Sequence, residues 1–84
     1  MRLQTIPMTQ KQDPWQGLRI QVRRRLSEAV DHLRQTGQLR RADIMRIGEV
    51  SVPQASADIN VIKKRMPGLM EYDPSDKCYR LRKG

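Results

Sequence analysis

Eighty-four residues allow one small domain, with a net charge of +8 from 17 Lys and Arg against 9 Asp and Glu. Such a chain buries only somewhat over half of its unfolded surface, and without a single Phe its core must be aliphatic. One Cys and one His, Cys78 and His32, exclude a disulfide framework, a Cys- or His-based metal site within one chain and a Ser-His-Asp triad. Neither a metal, a cofactor nor an enzymatic activity is therefore expected. With no apolar run near membrane-spanning length and no signal peptide, the expectation is a soluble cytoplasmic protein.

Residues 1–12 lack periodicity and are read as a flexible arm, leaving 13–84 as the folded domain. Asp13 and Pro14 give a helix start, a capping carboxylate followed by proline at the first helical position. From there Trp15, Leu18, Val22, Leu26, Ala29, Val30 and Leu33 recur at steps of three and four, one apolar stripe about five turns long. Gly37 supplies the left-handed stop. The other side holds Arg19, Arg23 and Arg24, with Arg25 beside them. They form either a solvated face or a phosphate-contacting edge. The stripe exceeds what a three-helix domain needs, and Ile20 lies off it. Trp15, Leu18, Ile20 and Val22 are therefore the expected homodimer surface, with Trp15 also open to a core role.

Residues 38–40 are a short connection with room for a β-bridge at Leu39. A second helix is predicted from Arg41 to about Gly48, with a break at Gly48-Glu49-Val50. Ser51 caps a third helix running to about Arg65. Ser51 and Gln54 stand in capping-box spacing, Pro53 sits in the first turn, and Pro67-Gly68 ends the helix. Two β-favouring stretches, 69–73 and 77–81, flank the turn formers Pro74-Ser75-Asp76 and predict a hairpin. Tyr72 and Tyr79 are expected to pack across it rather than stack on bases. His32 is expected at the surface, Cys78 as a small hydrophobe, and Asp43 and Asp58 as caps or partners of Arg.

The fold class is thus mainly α with a small β-hairpin, a winged helix-turn-helix of three helices plus a wing. In a basic chain the third helix carries few charges at its start. Ala55, Ile59, Ile62 and Met66 share one face, with Pro53, Ala57, Asn60 and Lys64 opposite. A helix entering the DNA major groove needs small or amide side chains there. Gln and Asn pair with adenine through two hydrogen bonds, and apolar groups touch the thymine methyl. Ser51, Pro53, Gln54, Ser56, Ala57 and Asn60 are the candidate base readers, Gln54 doubling as a capping-box partner. Cations ring that face and are the candidate phosphate contacts: Arg40, Arg41, Arg46, Lys63, Lys64, Lys77, Arg80 and Arg82, with Lys83 beyond them.

"RRADIMRIGEVSVPQASADI" followed by "MEYDPSDKCYRL" resembles the DNA-binding domain of the WYL-domain transcription regulators. The likeness is greatest to repressors found in bacterial phage-defence islands, and more distant to the DeoR-type helix-turn-helix. It rests on Arg41 to Asp43, Ser51 to Ser56, Asp58-Ile59, and Tyr72, Asp73, Lys77 and Tyr79, and spans about residues 18–82. Gly48-Glu49 replaces the family's usual Phe-Gly, and the sequence ends at Gly84 without the ligand-sensing domain, so effector sensing is not carried over. Nor is a base preference, because DeoR-type proteins often place Arg at the positions of Ser56 and Ala57. What the residues and the resemblance together imply is a sequence-specific double-stranded DNA-binding regulator, a repressor acting as a homodimer on a palindromic operator in the nucleoid. The alternative is a protein-interaction adaptor of phage or mobile-element type, with an unidentified protein partner. RNA binding is disfavoured by the shortage of aromatic residues.

Overall fold

The computed structural model describes residues 13–82. The expected arm at 1–12 and Lys83 lie outside them. Three helices, α1 (Ile20–Thr36), α2 (Arg41–Gly48) and α3 (Val52–Arg65), precede a hairpin of β2 (Met70–Asp73) and β3 (Cys78–Leu81). A two-residue strand, β1 (Gln38–Leu39), lies between α1 and α2 and pairs with β3, giving an antiparallel sheet in the order β1-β3-β2. This is the mainly α, small-β architecture expected from the sequence.

Helix α1 begins at Ile20, six residues later than the Asp13-Pro14 signal implied. Asp13 Oδ1 does accept the Trp15 amide at 3.0 Å, but the turn it caps closes at once through Leu18 N–H to Trp15 O (3.1 Å). Gly17 then takes φ 90°, which a right-handed helix cannot absorb. The three-and-four spacing misled because the turn delivers Trp15 to the same side as the helix stripe. Arg65 clasps this turn from the far end of α3, donating to the carbonyls of Pro14 (3.2 Å) and Gln16 (2.7 Å).

The buried interior joins the three helices, β1 and β2: Trp15, Leu26, Ala29, Val30 and Leu33, then Leu39, Ile44, Ala55, Ile59, Ile62 and Met70, with Tyr79 and Leu81 of β3 partly buried against it. Each large aliphatic side chain so buried contributes about 1.5–3 kcal/mol. Leu18 and Val22 are half-buried against the same cluster. The apolar stripe is therefore used within the chain, and of the four residues expected at a dimer surface only Ile20, 72% exposed, stays outside.

Turns follow the sequence with one exchange of roles. Gly37 (φ 84°) ends α1, its N–H reaching Leu33 O at 2.7 Å. At the end of α2 the left-handed residue is Glu49 (φ 53°, ψ 49°), with Gly48 still helical. Gly48 is required for space: a Cβ there would lie 2.2 Å from Arg25 Cδ and 2.8 Å from its Cγ. At the hairpin tip Asp73 Oδ1 accepts the amides of Ser75 (2.9 Å) and Asp76 (3.4 Å), and Lys77 closes the turn at φ 54°. Tyr72 lies opposite Tyr79 in the ladder, ring centroids 5.0 Å apart, the cross-strand packing the sequence implied.

Candidate nucleic-acid interface

Helix α3 presents the front the sequence predicted. Its inner face, Ala55, Ile59 and Ile62, is buried, whereas Ser51, Val52, Pro53, Gln54, Ala57 and Asn60 are exposed and Ser56 is half-buried. Ser51 caps the helix, its hydroxyl accepting the Gln54 amide at 3.3 Å. The return half of the capping box is not made. Instead of reaching Ser51 N, the Gln54 side chain turns forward along the helix, and Nε2 donates to Asp58 Oδ1 at 3.0 Å. The reason is competition: the charge-assisted bond that its NH₂ donates to the carboxylate one turn ahead outweighs the neutral bond that its carbonyl would accept from the Ser51 N–H. Val52, 45% exposed, was absent from the sequence-based readers. Its spacing aligns it with Ile59, but it lies a turn beyond the edge of the core, where an apolar group is left facing outward.

Asp58 is 1% exposed, the one buried charged residue among the described residues. Arg25 of α1 reaches it with both arms of its guanidinium, Nε to Oδ2 at 2.5 Å and Nη2 to Oδ1 at 3.0 Å. Arg25 thus leaves the basic edge to which its neighbours belong. Arg23 is also committed, to Asp13 at 2.5 Å, while Arg19 and Arg24 remain exposed.

The candidate phosphate contacts fall into two groups. Arg46 bonds Asp43 (3.2 Å), Arg82 lies 3.9 Å from Glu71, and Arg80 bridges Asp73 (2.7 Å) and Asp76 across the hairpin tip. Arg80 therefore holds the tip closed, and its hydrogen bond keeps the Asp73 carboxyl below its ordinary value, helped by the Ser75 amide. Asp43 is pushed up by burial, but the hydrogen bond from the Arg40 amide (2.9 Å) and the charges of His32 and Arg46 bring it below the usual carboxylate value. It caps α2 in the structural role foreseen for it. His32 is half-buried, its Nε2 3.3 Å from Asp43, rather than free at the surface. The second group carries no acidic partner among the described residues: Arg40, Arg41, Lys63, Lys64 and Lys77. Arg41 Nη1 donates to Ser56 Oγ at 3.1 Å, and Lys63 Nζ lies over the Tyr79 ring, 5.8 Å from its centre.

Between α3 and the wing lies a groove of about 360 Å³, lined by Arg41, Ser56, Ile59, Asn60, Tyr72, Lys77 and Tyr79. Arg41 and Lys77, neither paired with a carboxylate among the described residues, line it together with hydroxyl, amide and aromatic groups, a lining suited to an anionic, partly apolar polymer. No helix among the described residues is long and apolar enough to cross a membrane.

No family model matches the chain. It is similar to the DNA-binding transcriptional repressor CapW of Escherichia coli strain KTE188, and to the protein of the same name from Escherichia coli, with 42% identity over 66 residues in each case. The match covers 77% of this chain and 22% of each relative, so the chain spans about a fifth of the length of the curated relatives it matches.

Proposed function

We propose that this domain binds double-stranded DNA with sequence preference and serves transcriptional repression. The observation that carries the reading is the outward face of α3. Small, hydroxyl, amide and apolar groups occupy it, all exposed but the half-buried Ser56, in a chain of charge +8, and unpaired cations stand at its margins. A protein that only needed solubility would place charge on that face; a groove-reading helix must keep it off. Similarity to a repressor over three quarters of the chain supports the same reading. In it, Gln54, Ser56, Ala57 and Asn60 read base edges, joined by Val52 and Pro53 as apolar contacts, with Ser51 holding the helix start. Arg40, Arg41, Lys63, Lys64 and Lys77 bind phosphate. Arg46, Arg80 and Arg82, each already facing a carboxylate, add field rather than direct contacts.

The operator is two-fold symmetric and occupied by two copies, with half-sites about one helical turn or a multiple apart. Ile20 is the exposed apolar residue available to join them, since Trp15, Leu18 and Val22 serve the core. Selection of bound sequences from a random duplex pool tests the reading, followed by binding at several salt concentrations. A palindromic enriched sequence and a steep loss of affinity with salt are expected, from counterion release at several phosphates. Failure to enrich any sequence, with a flat salt response, would transfer the domain to the adaptor class. Sedimentation with a two-half-site duplex reports stoichiometry. One copy per duplex, unaffected by Ile20→Asp, would remove the dimer from the proposal.

A further inference from the structure

Gln54, the residue on which adenine recognition would turn, does not stand alone. Its amide is the outer end of a chain of contacts that starts in α1: Arg25 Nε and Nη2 on both oxygens of Asp58, and Asp58 Oδ1 accepting Gln54 Nε2. The inner members are fixed. Asp58 is 1% exposed and the Arg25 side chain 14%, and the stem of Arg25 runs over Gly48 in a passage that a single Cβ would close. A carboxylate paired to Arg only accepts hydrogen bonds, so it faces the NH₂ end of the Gln54 amide and never the carbonyl. The two ends of that amide are thereby told apart by the protein. One N–H is taken by Asp58. The carbonyl oxygen and one N–H of this exposed side chain remain free for a partner, an acceptor and a donor as adenine N6 and N7 require.

We propose that Arg25 and Asp58 are positioning residues for base recognition, fixing the orientation of the Gln54 amide before DNA arrives. This rests on the reading of Gln54 as a base contact. A glutamine held in advance loses less conformational freedom on binding. Releasing it should reduce discrimination at its base pair by about three- to ten-fold, the scale set by ordering one long side chain.

The test uses the whole chain. Gln54→Ala first identifies the base pair concerned, as the one position of the selected site that it no longer distinguishes. A double variant, Arg25→Met with Asp58→Leu, then removes the network at nearly constant volume and unchanged net charge, a replacement that buried ion pairs tolerate. Expected are unchanged affinity for random duplex, a three- to ten-fold loss of discrimination at that pair only, and a smaller further loss on adding Gln54→Ala than the same change causes in the wild type. A folded double variant that discriminates like the wild type overturns the proposal while leaving Gln54 as a reader. If Gln54→Ala itself costs no discrimination, the base-contact reading falls and the proposal with it. Nuclear magnetic resonance of the wild-type chain without DNA supplies a measurement independent of the double variant's folding. The Gln54 side-chain NH₂ should be rigid, with one proton protected from exchange, and free averaging of that group would overturn the proposal.

Discussion

Exchanging Gln54 for Glu reverses the sign that the capping motif alone would give. In a capping box Glu serves at least as well as Gln, and it adds a favourable charge at a helix N-terminus, so Gln54→Glu should leave the fold unchanged or slightly stabilise it. The structure places the Gln54 amide 3.0 Å from the Asp58 carboxylate instead. At neutral pH the substitution deletes a hydrogen bond to a charged acceptor, about 1.5–3 kcal/mol for such bonds and about 1 here, because an exposed side chain recovers water. It also sets two carboxylates facing each other. Swung out to about 6 Å, the introduced carboxylate still feels a repulsion of about 0.7 kcal/mol at the dielectric of water. The helix N-terminus returns about 0.5 kcal/mol. The net expectation is a loss of about 1 kcal/mol, or about 4–8 °C in Tm for a domain of this size. Urea and thermal unfolding of wild type, Gln54→Ala and Gln54→Glu measure it, the alanine variant isolating the hydrogen bond from the charge. The neighbouring carboxylate raises the introduced group's native pKa above its unfolded value. The deficit should therefore grow as pH rises through that native value and shrink in acid, where the protonated carboxyl can donate to Asp58. A Gln54→Glu protein as stable as the wild type at pH 7 would refute the contact and restore the capping box.

Gly48→Ala should destabilise by about 1–3 kcal/mol although alanine normally favours a helix, because the new Cβ meets an Arg25 stem whose guanidinium is pinned; equal or higher Tm would show that Arg25 moves freely. Glu49→Gly should stabilise by about 0.5–1 kcal/mol, since φ 53° suits glycine and strains other residues, and denaturant titration decides. Lys77→Gly, at φ 54°, should preserve hairpin stability while weakening binding equally on selected and random duplexes and lowering the salt slope by about one; a change in base preference would make the wing a reader. The stability that Asp43 contributes should be present above its unfolded pKa of 3.8 and lost as pH falls through its lower native value. Asp43→Asn, followed by chemical unfolding across pH, should accordingly be less stable than wild type at neutral pH and converge with it in acid.

The end of α1, the limits of α2 and α3, the hairpin and the Tyr pair were legible because each rests on chemistry local in sequence: a left-handed glycine after α1, a serine cap before α3, turn formers between β-favouring runs. What escaped depends on residues far apart. Arg25 and Asp58 stand 33 positions from each other, and only their meeting shows that one arginine of a four-cation cluster is internal while Arg24 beside it is not. The same meeting diverts Gln54 from the box that its spacing with Ser51 implies. Gly48 read as a helix breaker, yet its role is clearance for a side chain from another helix. The start of α1 was misplaced for a different reason, since an apolar period records which side of the chain is wet and says little about whether Gly17 keeps the backbone helical.

Helix α1 is also the beam from which α3 and the hairpin hang, the two parts that the proposed function turns toward DNA. The wing is moored at its far end, where Leu81 N–H bonds Gly37 O at 3.0 Å and β3 pairs with β1, while α3 is moored nearer its beginning through Arg25. The two moorings lie twelve residues apart, about 18 Å along a helix. A flexure of that beam would alter the angle between reader and wing without breaking either mooring, much as bending the spine of a pair of callipers changes its gauge. Under the proposed function, the span of duplex that reader and wing can grip is then set by the stiffness of α1, a helix that lies behind both.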